Sequence, residues 1–256
     1  MKKILFVFLL TSITLACKKN EQKEKNALVA KNNQIENEKV KITPITHATV
    51  VIQFKNQNIY LDPTGGAGTF SKFKNPTYVL ITDIHGDHLN IKTLQALDLK
   101  QTTIIAPKAV AEKIKTINAQ KIIVMNNGDK KSINNFKIEA IPMYNLREEA
   151  LRFHPKGRGN GYVITIGNER IYFSGDTEDI PEMRNLKNID KAFICMNLPY
   201  TMNIESAADA VLAFKPKKIY PYHYRGSNGL SDVTKFKQIV NNKNSSIDVI
   251  QWNWYP

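Results

Sequence analysis

The sequence predicts one mixed α/β domain, in which antiparallel hairpins stand beside strands that alternate with helices. Residues 162–166 and 170–173 have strand character and flank Gly167-Asn168, which is a strong hairpin signal. The apolar run at residues 78–81 has strand length, and helical periodicity follows at residues 91–97. This combination predicts hairpin-rich sheets covered by helices rather than a purely alternating, doubly wound sheet.

The remaining strands and helices are predicted, in chain order, from the same strand-type and helix-type spacing of apolar residues. A first hairpin is predicted from strands at residues 49–54 and 59–61. Further strands are predicted at residues 103–106, 137–141 and 218–222, with helices at residues 109–117 and 204–214. The aromatic cluster at residues 252–255 is expected to close an edge of the core rather than to face a substrate.

The composition is that of an ordinary globular chain except in its charge. The chain has 256 residues, of which 42% are hydrophobic and 23% charged, enough for one sizeable domain. Its net charge of +13 raises anionic partners such as nucleic acid, phosphate esters or a negative membrane surface. Lysine outnumbers arginine and is scattered along the chain, which is typical of a solvated surface. We therefore expect a small-molecule or lipid substrate, which can be anionic, rather than a nucleic acid.

The N-terminus predicts export. A positive start, Met1-Lys2-Lys3, precedes an apolar run at residues 4–10 that is too short to span a membrane. Cys17 follows Ala16, as in a bacterial lipobox, so residues 1–17 are interpreted as a signal peptide whose Cys17 is lipidated; the alternative is an ordinary signal peptide with an incidental cysteine. Residues 18–39 are predicted to be a flexible tether and residues 40–256 the folded domain. The protein is then a membrane-anchored lipoprotein that faces the periplasm or the cell surface.

One short segment carries most of the chemistry. Asp83, His85, Asp87 and His88 are four ligand-type residues within six positions, directly after an apolar strand. Unpaired charges beside a core are costly, so a structural role does not explain this clustering. Strand ends are where a rigid scaffold holds functional side chains on loops. The segment therefore predicts a metal site.

Four motifs in order resemble those of the metallo-β-lactamase superfamily. The segment Asp83-x-His85-x-Asp87-His88 is similar to its H-x-H-x-D-H motif, with aspartate in place of the first histidine. Residues 59–63, residues 174–177 around Asp176, and residues 220–223 ending in His223 look like the other strand-end motifs. The resemblance extends from about residue 45 to the C-terminus. It implies a four-layer αββα sandwich with mixed sheets.

Within that superfamily the sequence is most similar to the branch that contains ascorbate-6-phosphate lactonase and N-acyl-phosphatidylethanolamine phospholipase D. The basis is Thr46-His47-Ala48-Thr49 before the first hairpin. His47 is expected either to position the loop that carries Asp62 or to bond the backbone within the core.

The resemblance also implies two divalent metal ions that share a bridging hydroxide. Asp83 and His85 with one further histidine hold the first ion, Asp87, His88 and His223 hold the second, and Asp176 bridges them. The family's middle histidine falls near Asn145, so either Asn145 or His154, the lone histidine between His88 and His223, fills that place. Zinc is the first expectation for the ions, with manganese or iron as alternatives because carboxylates suit harder ions.

The expected function is a metal-dependent hydrolase that cleaves an ester, lactone, amide or phosphodiester bond, with Asp87, Asp176 and His223 as catalytic residues. Four basic residues, Arg147, Arg152, Lys156 and Arg158, are candidates to hold an anionic substrate, or else are solvated loop charges. Two alternatives stay open. One is a non-catalytic metal-binding lipoprotein with a degenerate site, and the other is a nucleic-acid phosphodiesterase.

Overall fold

The computed structural model describes residues 39–255. The predicted signal peptide, Cys17 and nearly all of the predicted tether lie outside these residues, and those assignments stay predictions. Within the described part of the chain, no helix is long and apolar enough to cross a membrane.

The strands form two large sheets and one small ribbon. In chain order the strands are β1 Lys41–Thr46, β2 Thr49–Phe54, β3 Gln57–Leu61, β4 Tyr78–Leu80, β5 Thr103–Ala106, β6 Lys121–Val124, β7 Lys130–Ile133, β8 Phe136–Met143, β9 Gly159–Ile166, β10 Glu169–Phe173, β11 Lys191–Ile194, β12 Lys218–Pro221, β13 Arg225–Gly226, β14 Gly229–Leu230 and β15 Asp248–Val249. The first sheet has the order β1-β2-β3-β4-β5-β6 and the second β15-β12-β11-β10-β9-β8-β7. The ribbon pairs β13 with β14.

Each large sheet is mixed in the same way, with an antiparallel part that continues into a parallel part. In the first sheet β1, β2 and β3 pair antiparallel, and β3 to β6 pair parallel. In the second sheet β7 to β10 pair antiparallel, and β10, β11, β12 and β15 pair parallel. The predicted hairpins at Gly167-Asn168 and at residues 49–61 are both confirmed.

Alternating side chains of the first sheet enter two different cores. Val50 and Ile52 lie in a core shared with second-sheet residues such as Phe173, so this core fills the space between the sheets. Val51 and its neighbours pack with Leu94 and Val110 on the outer face of the first sheet. The period of two along β2 is what assigns successive residues to opposite faces.

Helices cover both outer faces. In chain order they are α1 Ile91–Ala96, α2 Lys108–Lys113, α3 Pro181–Arg184, α4 Ile204–Phe214 and α5 Val233–Lys243. Leu94 of α1 and Val110 of α2 cover the first sheet. On the second sheet, Tyr172 meets Phe214 of α4 edge to face with ring centroids 6.0 Å apart. The layers are therefore helices, sheet, sheet, helices, and the predicted αββα sandwich is confirmed.

The topology brings several strand ends together. Strands β3 and β4 run parallel, as do β10 and β12 through β11, so the chain leaves each pair on the same side. The carboxyl edge of parallel strands is where α/β proteins place their sites. Of the seven residues predicted to form the metal site, six follow one of these strand ends, and His154 lies in the loop between β8 and β9.

Candidate metal centre

Three strand ends deliver the ligand-type side chains. After β4 the chain makes a tight turn in which His88 N donates to His85 O at 3.0 Å. After β10, Gly175 has φ +61°, and a Cβ there would lie 2.5 Å from Met143 Sδ, so a larger residue would strain the backbone and would have to push the Met143 side chain aside. After β12, His223 itself has φ 46°. Left-handed backbone at a non-glycine residue is costly and concentrates at functional sites.

The first group of side chains, here called the Asp87 cluster, comprises Asp87, His88, Asp176 and His223. Their ligand-type atoms all lie within 4.8 Å of one another. His223 Nε2 is 3.3 Å from Asp176 Oδ1 and 3.3 Å from Asp87 Oδ2. His88 Nε2 is 3.4 Å from Asp176 Oδ2. Three of the four side chains are buried, and Asp87 alone is 44% exposed, so the cluster opens on its Asp87 side.

The second group, here called the Asp83 cluster, comprises Asp83, His85 and His154, which also lie within 4.8 Å of one another. His85 Nδ1 is 2.7 Å from Asp83 Oδ2, and His154 Nε2 is 3.8 Å from the same oxygen. His154 Nε2 is also 3.3 Å from Asp176 Oδ2. Asp176 therefore contacts both clusters, and its bridging role stays a prediction.

Three histidines have one ring nitrogen committed to a fixed acceptor. His88 Nδ1 lies 2.8 Å from Asp62 Oδ2, His85 Nδ1 bonds Asp83, and His154 Nδ1 lies 3.1 Å from Tyr200 O. Each acceptor requires the proton on Nδ1 and leaves the lone pair on Nε2. A buried partner of this kind is how proteins fix the tautomer of a metal-binding histidine.

The arrangement fits a cation. His88 Nε2 and His223 Nε2 lie 3.2 Å apart, a distance at which two lone pairs repel unless a positive charge stands between or beside them. Among residues 39–255, the buried atoms His154 Nε2 and Asp176 Oδ1 have no hydrogen-bond partner. Buried polar atoms without a partner are rare in proteins. Divalent ions at the two clusters would satisfy both.

The electrostatics show that the Asp87 cluster attracts positive charge, either as a second proton on His88 or as a cation that takes the place of that proton. Burial lowers the pKa of His88, but the charges of Asp176 and Asp62 outweigh burial and raise it well above the usual value. Burial raises the pKa of Asp176, but the charges of His223 and His88 outweigh it and hold it well below the usual range. The cluster thus favours an ionised carboxylate and bound positive charge.

His47 contacts the centre in a way that the sequence did not predict. Its Nε2 lies 3.2 Å from Asp87 Oδ2 and its Nδ1 lies 2.7 Å from Tyr255 Oη. The contact with the Asp62 loop is made instead by Thr49, whose Oγ1 donates to Asp62 O at 2.6 Å. Tyr255 belongs to the C-terminal aromatic cluster, of which Trp254 is fully buried, as expected of a core edge.

The two candidates for the middle position differ in their contacts. His154 lies in the Asp83 cluster, whereas Asn145 Nδ2 donates to Ala150 O at 2.9 Å and to Tyr200 O at 2.7 Å. Asn145 therefore holds the loop that presents His154. The coordinating roles themselves stay predictions for all seven residues, Asp83, His85, Asp87, His88, His154, Asp176 and His223.

The four basic residues of this loop differ in their partners. Arg147 Nε donates to Glu178 at 2.6 Å, and Lys156 Nζ donates to Glu182 at 3.0 Å. Arg152 stands over the ring of Phe153 at 4.8 Å. Arg158 turns into the centre, where its Nε and Nη2 donate to Asp83 Oδ1 and Oδ2 at 3.1 and 3.0 Å. No local pattern in the sequence signals this last contact.

A family model described as a β-lactamase superfamily domain matches residues 41–223, a span that includes both clusters. The chain belongs to the metallo-β-lactamase superfamily. A metal-dependent hydrolase of the UPF0173 group from Nanoarchaeum equitans is 30% identical over 227 residues, which cover 82% of this chain and 100% of the relative. One from Pyrococcus furiosus is 28% identical over 217 residues, with 80% and 93% covered.

Solved structures agree with this membership. A metal-dependent hydrolase from Parabacteroides distasonis has a TM-score of 0.75 and 39% identity, covering 84% of this chain and 94% of that chain. A metallo hydrolase from Ignicoccus hospitalis has a TM-score of 0.69 at 21% identity, covering 83% and 94%, and shows the shared fold alone. The protein is therefore a metal-dependent hydrolase of the metallo-β-lactamase superfamily, with aspartate and histidine clusters that can bind metal.

Proposed function

We propose that the protein uses two divalent ions, zinc first among them, to cleave an ester, lactone, amide or phosphodiester bond of an amphiphilic small molecule or lipid. The observation that carries this proposal is the convergence of Asp87, His88, Asp176 and His223 on one point, with three of them buried. The Asp87 cluster would hold one ion and the Asp83 cluster the other, with Asp176 serving both. Ions held there supply a nucleophile at neutral pH and stabilise negative charge that develops on the substrate.

The protein's own groups orient this chemistry. Asp87 is the member of the Asp87 cluster that faces solvent; burial raises its pKa, but hydrogen bonds from His223 and His47 outweigh burial and lower it below the usual range. Asp87 is therefore ionised at neutral pH and accepts hydrogen bonds or binds a cation. His47 fixes its direction from one side. Asp62 fixes His88 in the same way from within the core.

The cavity over the centre supports a small organic substrate. Its volume is about 320 Å³, within the range of ligand pockets. It is lined by His85, Asp87, Phe153, His154, Asp176, Asn197 and Tyr200. Two aromatic side chains thus face the reacting groups, and they meet edge to face with ring centroids 5.1 Å apart.

An apolar rim supports a substrate with an apolar part. Of the six large hydrophobic side chains that are exposed in residues 39–255, five lie on the two loops that carry the cavity residues Phe153 and Tyr200 or on the β13–β14 ribbon: Leu146, Leu151, Leu198, Tyr200 and Leu230. These loops touch one another, since Arg147 Nη2 donates to Pro199 O at 2.9 Å and Ser227 N donates to Leu198 O at 3.2 Å. Exposed apolar patches of this kind mark binding surfaces. We assign the rim to the apolar part of the substrate.

The test combines metal content with matched substrates. The full-length chain, purified without chelator, should contain two ions by elemental analysis. It should cleave p-nitrophenyl octanoate faster than p-nitrophenyl acetate, or else cleave bis(p-nitrophenyl) phosphate, and an Asp176→Ala/His223→Ala variant should do neither. Two bound ions without any hydrolysis across ester, lactone, amide and phosphodiester panels would favour the non-catalytic alternative. Absence of metal after reconstitution with zinc, manganese and iron would reject the proposal.

We also propose that the protein is an exported lipoprotein, on the basis of residues 1–17 and Cys17 in the sequence. Labelling cells with a radioactive or alkyne-tagged fatty acid should mark the wild type and leave a Cys17→Ser variant unmarked. Labelling of neither chain would reject lipidation, and a cleaved, unlabelled chain in the soluble fraction would indicate an ordinary signal peptide.

A further inference from the structure

The two carboxylate oxygens of Asp83 are already engaged by three protein groups. Its Oδ1 accepts from Arg158 Nε at 3.1 Å, and its Oδ2 accepts from Arg158 Nη2 at 3.0 Å. Oδ2 also lies 2.7 Å from His85 Nδ1. The carboxylate is fully buried, so water does not compete for it. A two-point bond between guanidinium and carboxylate is among the strongest hydrogen-bonded pairs in proteins.

Arg158 is itself fixed beside the Asp83 cluster. Besides Asp83, its Nη2 donates to Phe153 O and lies 3.4 Å from His85 Nε2, the ring nitrogen that His85 has left for a ligand. The guanidinium carries a permanent positive charge. An ion bound by His85 Nε2 would therefore stand next to that charge.

The two clusters differ in net charge for this reason. The two carboxylates of the Asp87 cluster, Asp87 and Asp176, lie beside histidines, and among residues 39–255 neither forms an ion pair with a lysine or an arginine. In the Asp83 cluster the single carboxylate is balanced by Arg158. A divalent ion gains more from the first environment than from the second, because its attraction to two carboxylates is not offset there by a neighbouring guanidinium.

We propose that Asp83 is a positioning residue, held by Arg158 and holding His85, and that it does not bind the metal. In consequence the two positions fill in order, the Asp87 cluster first, and Arg158 sets the lower affinity of the second ion. The inference rests on the proposed two-metal function. In the ligand set that the family resemblance implies, Asp83 stands in the first histidine position and binds the first ion. The inference departs from that set, because the negative charge of Asp83 is already paired with Arg158.

The experiment is a zinc titration of the full-length, chelator-stripped chain in competition with a chromogenic chelator. The wild type should show two binding events whose dissociation constants differ at least tenfold. Arg158→Gln should tighten the weaker event at least fivefold, because it frees Asp83 and removes the positive charge. Arg158→Lys should leave the two events separated, because the charge remains. Arg152→Gln, which removes an exposed charge of the same loop, is the control and should change neither event.

A double variant separates positioning from coordination and stays foldable because it removes both halves of a buried ion pair together. Asp83→Asn alone should weaken the second event at least tenfold, since it leaves Arg158 uncompensated. Asp83→Asn/Arg158→Gln should restore that event to near its wild-type affinity, because without the guanidinium the new amide can turn its oxygen towards His85 Nδ1 and keep the proton there. If Asp83 is a ligand, the double variant stays as weak as Asp83→Asn, and the inference is overturned. Two equal events in the wild type overturn it as well but leave the proposed function standing, whereas no zinc binding overturns both.

Discussion

The two clusters have the same origin in the fold but are balanced by different partners. Both combine a strand end of the first sheet with side chains from the second sheet, and both lie against Asp176. The carboxylates of the Asp87 cluster face imidazoles alone, whereas the carboxylate of the Asp83 cluster faces a guanidinium from a residue 75 positions away. The difference teaches that similar ligand-type residues can stand in different charge environments, and the proposed order of metal filling follows from that difference.

Asp176→Asn should abolish metal binding at both clusters, and we expect it to have the largest effect of the variants. Its two oxygens lie 3.3 Å from His223 Nε2 and 3.3 Å from His154 Nε2, one in each direction. The amide keeps the shape and loses the charge, so both ions should be lost and kcat/KM should fall by about a thousandfold or more. Elemental analysis and hydrolysis of the preferred p-nitrophenyl substrate measure the two effects.

Asp190→Asn is the matched control for that variant. Asp190 Oδ1 pairs with Lys217 Nζ at a distance of 2.7 Å, and this pair belongs to neither cluster. It should retain both ions and full activity. An Asp176→Asn chain that still holds two ions would show that the clusters do not share this residue.

Removing the metal and adding it back should distinguish the two clusters by their effects on thermal stability. A ligand that binds the folded chain alone stabilises it by about 2.7 kcal/mol at a free concentration of one hundred times its dissociation constant. For a domain of this size that corresponds to a rise in Tm of roughly 5–10 °C. Differential scanning calorimetry of the chelator-stripped chain with increasing zinc should show two successive rises, the first from the Asp87 cluster. A single rise, or none, would contradict unequal filling.

Asp62→Asn should weaken one cluster and leave the other unchanged. An asparagine amide facing His88 Nδ1 would donate instead of accept, which moves the imidazole proton to Nε2 and blocks the ligand atom. Loss of such an outer partner lowers metal affinity by about 10–100-fold. In the zinc titration we expect this loss in the tighter event.

Thr82→Val is the comparison for that variant. It removes the hydroxyl that donates to Asp62 Oδ2 at 2.6 Å but keeps the carboxylate that orients His88. Its effect on the tighter event should be smaller than that of Asp62→Asn. If instead the weaker event changes most in Asp62→Asn, the assignment of the two events to the two clusters is wrong.

The helices and strands were predictable where the spacing of apolar residues in the sequence matches the positions that are buried in the fold. The helix Ile204–Phe214 and the strand Thr103–Ala106 have the predicted bounds, because each presents a clear apolar face to a core. The edge strands β6 and β7 went unpredicted, since each has four residues and begins with lysine, namely Lys121 in β6 and Lys130 and Lys131 in β7. Charged edge strands avoid pairing with other chains, and that protection hides them from a hydrophobicity pattern.

Helix α5 was missed and helix α2 was predicted too long for related reasons. Only Phe236 and Val240 of α5 are buried, which is too few to show a period in a lysine- and asparagine-rich segment. The predicted helix at residues 109–117 ends at Lys113, where Ile114 leaves helical geometry and the chain turns through Ile117. Local sequence defines such ends poorly because tertiary packing overrides propensity.

The centre was predictable as a set of residue types and not as a set of contacts. The motifs brought Asp83, His85, Asp87 and His88 to attention because they are adjacent in sequence, and His154 because histidines are scarce. The contact between Arg158 and Asp83 depends on how the loop before β9 folds over the end of β4. A guanidinium among four basic residues of one loop carries no sequence signal that distinguishes it from its neighbours.

Tyr255→Phe tests the smallest effect, the support of Asp87 by the C-terminus. Tyr255 Oη accepts from Arg225 N at 3.2 Å and can donate to His47 Nδ1 at 2.7 Å, which leaves the Nε2 proton of His47 for Asp87. Without the hydroxyl, His47 Nδ1 loses a part-buried partner at a cost of about 1 kcal/mol. We expect a fall in kcat of roughly fivefold, as this energy implies, with KM unchanged.

Tyr224→Phe is the control for Tyr255→Phe, because the Tyr224 ring packs on Tyr255 at 5.0 Å while its hydroxyl is 3.5 Å from Trp252 O and outside the His47 network. It should reproduce any general loosening of the C-terminal aromatic cluster without the loss in kcat. Equal losses in both variants would mean that the C-terminus supports the centre by packing alone. A loss of kcat confined to Tyr255→Phe would show that the hydroxyl of Tyr255, the last described residue of the chain, supports Asp87 through His47. The two clusters would then differ in their supporting groups as well, because Asp83 is held by Arg158.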